Sequence, residues 1–314
     1  MSIQLLSIED VKSIGIMGAG GTMGSTWALN SILHGFQVFA YEPDSSRMNA
    51  ATQFMKTTLD NMKANEKLEQ SPDAVMELLK VVDETGIIQS GAPIILEAIP
   101  ENLQLKLDFF RELGSKLPES TVPWTNTSCL DVEKLAIAFG RPELLVGAHG
   151  MNPVHLTKGV EVVRTTIVDP AVYDWTKRVI EKMGKVPFPA VNVPGFIVNR
   201  VFVAFALHLV ANLFRDEFDV GTADTALKFS LGHPQGIFKL LDYIGHDTMV
   251  NVARELEAAT GDIRYQAPEK YLAMVTQGHL GKKSGHGFYD WTDPRNPIPI
   301  PMEELALPVA KPQE

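Results

Sequence analysis

Between Ser13 and about Ala190, hydrophobic residues fall in short runs rich in β-branched and aromatic side chains. These runs alternate with longer stretches of amphipathic, helix-period spacing. The predicted strands are SIGIM at 13–17, QVFAY at 37–41, VVD at 81–83, IILEAI at 94–99, VPWTN at 122–126 and LLVGAH at 144–149. VEVVRT at 160–165 and VPFPAV at 186–191 extend the set. Pro187 and Pro189 put the last of these at a sheet edge, because proline has no N–H for an inner ladder. This alternation predicts an α/β fold of the Rossmann type, with a doubly wound, mostly parallel sheet.

The pattern changes at Val193-Pro194-Gly195. Beyond it run helical patterns at 196–218, 221–231, 236–260 and 266–278, with no good strand candidate, which predicts an all-α C-terminal domain. The expected division is 1–192 for the sheet domain, 193–292 for the helical domain and 293–314 for an extended, proline-rich tail. The longest apolar run, Val201 to Phe214, contains His208 and Asn212. It is shorter than the ~20 residues of a membrane span and is expected to be a buried helix.

A length of 314 residues suits two domains, and a net charge of −10 offers no basic field for phosphate backbones, so nucleic acid is excluded as a partner. The single cysteine, Cys129, cannot form an internal disulfide and fits a reducing compartment. The start, MSIQLLSIEDVKS, lacks a basic segment followed by an apolar one, so no signal peptide is expected and the predicted location is cytoplasmic. The eight histidines show no metal-ligand spacing, and no metal is predicted.

Candidate chemistry begins where the first strand meets Gly18-Ala19-Gly20-Gly21-Thr22-Met23-Gly24, followed by a helical pattern. Glycines let the backbone approach a pyrophosphate closely, and the N–H groups opening the helix point at the anion. Glu42, eighteen residues after Gly24 at the end of the second strand, is placed to accept hydrogen bonds from an adenosine ribose. An acid there favours NAD over NADP, with Arg47 close enough to soften the preference. The turn holds three residues between its second and third fingerprint glycines where the usual fingerprint has two.

The turn, EAIPENLQLK at 97–106, NTSC at 126–129, AHGMNP at 148–153, VEVV at 160–163, VPGFIVNR at 193–200, HPQGIFKLLDYIGHDT at 233–248 and GKKSGHGFYDW at 281–291 together resemble the 3-hydroxyacyl-CoA dehydrogenase family. The segments follow the family's order over about residues 13–291. The resemblance implies NAD as cofactor and a homodimer formed through the helical domain. It places the catalytic histidine on His149, its paired carboxylate on Glu161, and the substrate-contacting serine and asparagine on Ser128 and Asn199. The implied cofactor contacts are Gly18, Gly20, Gly21, Thr22, Met23, Gly24, Glu42, Ala98, Ile99, Glu101, Lys106, Asn126, Ser128, Asn152 and Lys283.

These residue types suit the oxidation of a secondary alcohol. A histidine, with an ordinary pKa of about 6.5, can take the hydroxyl proton or return it near neutrality. A carboxylate on the other ring N–H fixes the tautomer and stabilises the imidazolium. Hydroxyl and amide donors polarise the substrate oxygen.

Three features depart from the family. Gly150 and Met151 stand where two bulky aromatic residues usually follow the histidine, which is expected to leave a roomier or differently shaped wall beside the base. Pro234-Gln235-Gly236-Ile237 replaces Pro-x-Gly-Pro. The CoA-contacting serine and lysine fall near Thr58 and Asn65, with Lys56, Lys63 and Lys67 nearby. IPENLQLK and GSTWA are similar to relatives that act on free hydroxy acids, gulonate 3-dehydrogenase and carnitine dehydrogenase, whereas GKKSGHGFYDW is similar to the acyl-CoA branch. The expected function is oxidation of a short-chain 3-hydroxyacyl-CoA. The alternatives are a free hydroxy-acid dehydrogenase, a non-catalytic NAD(H)-binding protein and, more weakly, a thiol hydrolase using Cys129 with His149.

Overall fold

The structure, a computed structural model, describes residues 3–215 and 218–305. The chain divides into two compact units after Phe196.

In the first unit eight strands form one sheet: β1 (Ser13–Met17), β2 (Gln37–Tyr41), β3 (Leu79–Val81), β4 (Ile94–Glu97), β5 (Val122–Thr125), β6 (Val146–Gly150), β7 (Gly159–Arg164) and β8 (Val186–Val191). Their order is β3-β2-β1-β4-β5-β6-β7-β8. The first six are mutually parallel. β7 runs antiparallel to β6, and β8 is parallel to β7. This is the doubly wound, mostly parallel sheet expected from the alternation. The proline-bearing strand β8 lies at an edge, and β3 falls two residues earlier than the run at 81–83 suggests. β4 and β5 are buried at every position, so apolar runs without alternation form the sheet's middle.

The flanking helices are α1 (Thr22–Leu33), α2 (Ser45–Ala64), α3 (Pro72–Met76), α4 (Glu84–Gln89), α5 (Leu103–Lys116), α6 (Val132–Phe139) and α7 (Pro170–Lys182). Side chains that accept from first-turn N–H groups set where most of them start: Asp44, Ser71, Asp83, Asn102, Asp131 and Asp169 cap α2 to α7 in turn. α1 alone among these seven begins at a glycine, Gly21, and has no side-chain cap.

The second unit holds α8 (Val198–Leu213), α9 (Val220–Leu231), α10 (Ile237–Ile244), α11 (His246–Thr260), α12 (Glu269–Thr276) and α13 (Met302–Leu305). Three expectations change here. The pattern at 236–260 is two helices, because Gly245 takes φ +94, which no helix accommodates. α8 is not buried all round: Val203, Ala206, Leu207 and Val210 face inward, while Val201 remains 65% exposed. The stretch after 292 includes the short strand β10 (Ile298–Pro299), which pairs antiparallel with β9 (Tyr289–Asp290) and brings Ile300 and Leu305 into burial. The rest of the expected tail, 306–314, lies outside the described residues.

Two buried aspartates organise this unit. Asp242 accepts from the Phe288 and Tyr289 N–H groups and the Trp291 indole, and lies 2.5 Å from His246 Nε2. Asp224 accepts from the Phe238 and Lys239 N–H groups at the start of α10 and from the Tyr289 hydroxyl. Among the described residues no helix is long and apolar enough to cross a membrane.

In the first unit Lys185, only 6% exposed, donates to the Val154 and Thr157 carbonyls at 2.5 and 2.8 Å and so ties down the loop after β6. Burial, with Lys158 nearby, pushes its ammonium down to about 8 from 10.5. Between those values the unfolded chain binds more protons, so this group adds stability as pH rises. Lys185→Met is expected to lose that rise, read as the difference in urea midpoints between about pH 7 and about pH 10. An unchanged pH slope in the variant would contradict this account.

Candidate active site

The crevice beyond the C-terminal ends of β1 and β4 lies at the switch point of the sheet, the usual ligand position in open α/β folds. Gly18, at φ +82, lies so close to Ala98 that a Cβ would come within 2.6 Å of the Ala98 carbonyl oxygen. At Gly24 a Cβ would lie 2.2 Å from the Gly18 oxygen, so this glycine lets α1 pack against the turn. The Gly21 N–H closes the turn on Gly18 O at 3.0 Å, which absorbs the additional residue. Thr22 and Met23 then open the uncapped helix with N–H groups available to an anion. Gly20 passes directly over Glu42, where a Cβ would meet Glu42 Cγ at 2.5 Å. Arg47 lies 3.7 Å from the Glu42 carboxylate, and its guanidinium reaches the turn near Gly21. Met17, Tyr41, Ile99, Leu105 and Phe109 extend this crevice into an apolar cavity of about 420 Å³. A close-approach glycine turn, a free helix start, an acid and an apolar slot fit a dinucleotide.

Next to the turn a charged network fastens the loops after β4 and β5. Glu97, with no exposed surface, accepts from Lys106 Nζ (2.5 Å), the Thr125 hydroxyl (2.6 Å) and the Ile99 N–H (2.8 Å). Lys106 also donates to Ile99 O and pairs with Glu101 at 3.2 Å, so its three N–H groups have three acceptors. The other Glu101 oxygen gathers the Thr127 hydroxyl, the Ser128 N–H and hydroxyl, and the Cys129 N–H. Burial pushes the Glu97 carboxyl up. Desolvation acts the same way on Glu101, but Lys106, Thr127 and Ser128 outweigh it and hold that carboxyl below its ordinary range. Sequence reasoning missed Glu97 and Thr125. The available signal was an acid inside an apolar strand with a lysine nine residues on.

The third cluster sits at the reversed strand pair. In the antiparallel register of β6 and β7, His149 lies directly opposite Glu161. His149 Nδ1 is 2.7 Å from Glu161 Oε2, and both side chains are buried. A carboxylate acceptor puts the proton on Nδ1 and leaves Nε2 as the proton-accepting nitrogen. Among the described residues of the first unit, Nε2 has no hydrogen-bond partner. Phe196, at φ +46, presents its ring edge-on to the imidazole, 5.7 Å between centroids.

The wall next to the histidine differs from expectation. Residue 150 faces the opposite side of the strand from His149, and a Cβ there would lie 2.9 Å from Trp27 Cζ2. The space a side chain at Gly150 would take is therefore filled by the Trp27 indole, on the face of the strand away from the base.

Asn126 is buried between these clusters, Ser128 is half-buried, and Asn152 is exposed. The remaining two candidates belong to the second unit: Asn199 is half-buried in the first turn of α8, and Lys283 pairs with Asp247 at 2.5 Å.

Comparison with known proteins supplies the class. Residues 13–193 match the family model described as 3-hydroxyacyl-CoA dehydrogenase, NAD binding domain, and residues 195–291 match the 3-hydroxyacyl-CoA dehydrogenase, C-terminal domain. The chain belongs to the 3-hydroxyacyl-CoA dehydrogenase family. It is an NAD-dependent oxidoreductase acting on a secondary alcohol, with NAD as cofactor. Over 289 residues it is 31% identical to a probable 3-hydroxybutyryl-CoA dehydrogenase of Bacillus subtilis, covering 90% of this chain and 99% of that one. The crystal structure of M. tuberculosis FadB2 superposes with a TM-score of 0.84 at 30% identity, covering 89% of this chain and 99% of that one. The (S)-3-hydroxybutyryl-CoA dehydrogenase PaaH1 of Ralstonia eutropha gives 0.80 at 27%, covering 88% and 98%.

Gly24→Ala is expected to force the turn and α1 apart, costing about 1–3 kcal/mol of stability together with NADH affinity. Denaturant unfolding and a fluorescence titration read both. A variant with wild-type values in each would contradict the close contact.

Proposed function

We propose that the protein oxidises a short-chain 3-hydroxyacyl-CoA to the 3-ketoacyl-CoA, with His149 as the acid/base. The observation that carries this reading is the buried His149–Glu161 pair, which leaves Nε2 uncommitted. In oxidation Nε2 takes the proton of the substrate hydroxyl, and in reduction it returns it. Glu161 holds the ring through Nδ1–H and stabilises the imidazolium while the proton is on Nε2. Asn199 and Ser128 donate to the substrate oxygen as charge gathers on it, the Ser128 hydroxyl turning from its 3.3 Å contact with Glu101 to do so.

The Gly18–Gly24 turn, with Thr22 and Met23, holds the pyrophosphate of NAD. Glu42 holds its ribose, and Ala98, Ile99, Glu101, Asn126, Ser128, Asn152 and Lys283 line its path. Lys106, whose N–H groups are all engaged, serves the cofactor by holding Glu101 in place. When bound, NAD supplies the acceptor for the hydride that leaves the carbinol carbon. Residues 1–192 make up the cofactor domain and 193–292 the substrate and dimerisation domain of a cytoplasmic homodimer.

A specific observation favours a second reading, a free hydroxy acid as substrate. Two of the three cations near the expected CoA site already have protein partners: Lys63 donates to Leu68 O and Glu69 O, and Lys56 lies 3.5 Å from Asp73. Thr58 and Asn65 likewise bond within α2, to Phe54 O and Asn61 O.

Oxidation of NADH by acetoacetyl-CoA tests the main reading. Turnover of a free oxo acid with none of the thioester would select the second. His149→Ala is expected to lower kcat by about 10²–10⁴ with NADH affinity nearly unchanged, and a variant with near-normal kcat would remove His149 from its role.

A further inference from the structure

Asn126 is 8% exposed, and its side-chain oxygen accepts from two groups that can only donate: the Trp27 indole N–H at 2.7 Å and the Gly150 main-chain N–H at 3.1 Å. An amide whose O and N could otherwise be exchanged is thereby oriented, because neither partner could accept from an NH2 group. The Asn126 Nδ2 carries two N–H groups and has no partner among the described residues. Asn126 follows β5 directly, and its own N–H donates to Glu97 O. Its amide therefore stands at the C-terminal end of the sheet, next to the strand that carries His149. An amide NH2 held in one orientation and without a protein partner is a ready donor for a ligand that supplies an acceptor.

We infer that Trp27 is a positioning residue of this site: its indole N–H locks the Asn126 amide with the NH2 turned toward the ligand, and its ring, seated behind Gly150, holds the strand end that carries His149. The acceptor is a carbonyl or alkoxide oxygen, carried either by the nicotinamide carboxamide or by the reacting carbon of the substrate. This inference rests on the NAD-dependent dehydrogenase reading of the site.

Trp27 cannot touch substrate, being fully buried, so its effect must pass through Asn126 and Gly150. Two substitutions separate orientation from packing. Asn126→Asp keeps an oxygen for both N–H donors and replaces the outward NH2 donor by an anionic acceptor oxygen. Trp27→Phe keeps an aromatic ring behind Gly150 and removes the N–H.

The experiment measures, for each variant and for the double variant, the thermal midpoint, the NADH dissociation constant without substrate, and KM and kcat with acetoacetyl-CoA. Asn126→Asp is expected to melt within a few degrees of wild type yet weaken ligand binding roughly tenfold, the worth of about one hydrogen bond. Trp27→Phe is expected to shift the same constant in the same direction by a smaller factor. The double variant is expected to lose no more than Asn126→Asp alone, because the indole acts through the amide. A shift in the NADH constant assigns the acceptor to the nicotinamide end, and a shift confined to KM assigns it to the substrate.

Wild-type constants in Asn126→Asp, or in Trp27→Phe, would overturn the inference, as would losses that multiply in the double variant. Should Trp27→Phe fail to fold, Asn126→Asp still decides whether the outward NH2 binds. The NADH titration needs no turnover, so a wild type that binds NADH but leaves acetoacetyl-CoA unreduced counts against the thioester reading alone.

Discussion

A carboxylate with no access to water, Glu97, stands at the end of a strand in the middle of the sheet, and much of the site follows from satisfying it. Removing a charge from water costs several kcal/mol unless opposite charge and hydrogen bonds replace the lost hydration. Here the compensation comes from three segments: Lys106 on α5, Thr125 on β5 and the backbone of Ile99. Once committed to Glu97, Lys106 has a second carboxylate within reach, and Glu101 then collects the hydroxyl and N–H groups of the loop after β5. The loops that end β4 and β5 are thus fixed by one buried charge at the edge of the cofactor crevice.

The histidine cluster depends on a different constraint, the reversal of one strand. Had β7 joined the sheet in parallel like the six strands before it, Glu161 would not stand opposite His149. The antiparallel register sets the two residues side by side on one face, close enough for a hydrogen bond between buried groups. The same strand end carries the Gly150 N–H that Asn126 accepts, so the imidazole and the amide are referenced to a single stretch of backbone.

The two units are held by the same kind of device at different places. Buried carboxylates accept from N–H groups that would otherwise be stranded: Glu97 and Glu101 in the first unit, Asp224 and Asp242 in the second. In the second unit this chemistry secures the segment around Phe288 to Trp291 against α10, where regular secondary structure is sparse.

Local signals in the chain determined the alternation of strands and helices, the parallel sheet, the edge position of a proline-bearing strand, the glycine turn with its acid and the family. All of these are written in periods of two and 3.6 and in short motifs. Side-chain periodicity carries no record of which residue faces which across the sheet. The meeting of His149 with Glu161, the engagement of Lys106 between two carboxylates and the occupation of the space behind Gly150 by Trp27 are separated by between 5 and 123 residues in sequence, and only packing brought them together. The break at Gly245 and the short pair of β9 with β10 belong with these. A helical pattern shows where a helix is favoured and leaves its bends to the contacts around it, and a two-residue strand exists only through its partner.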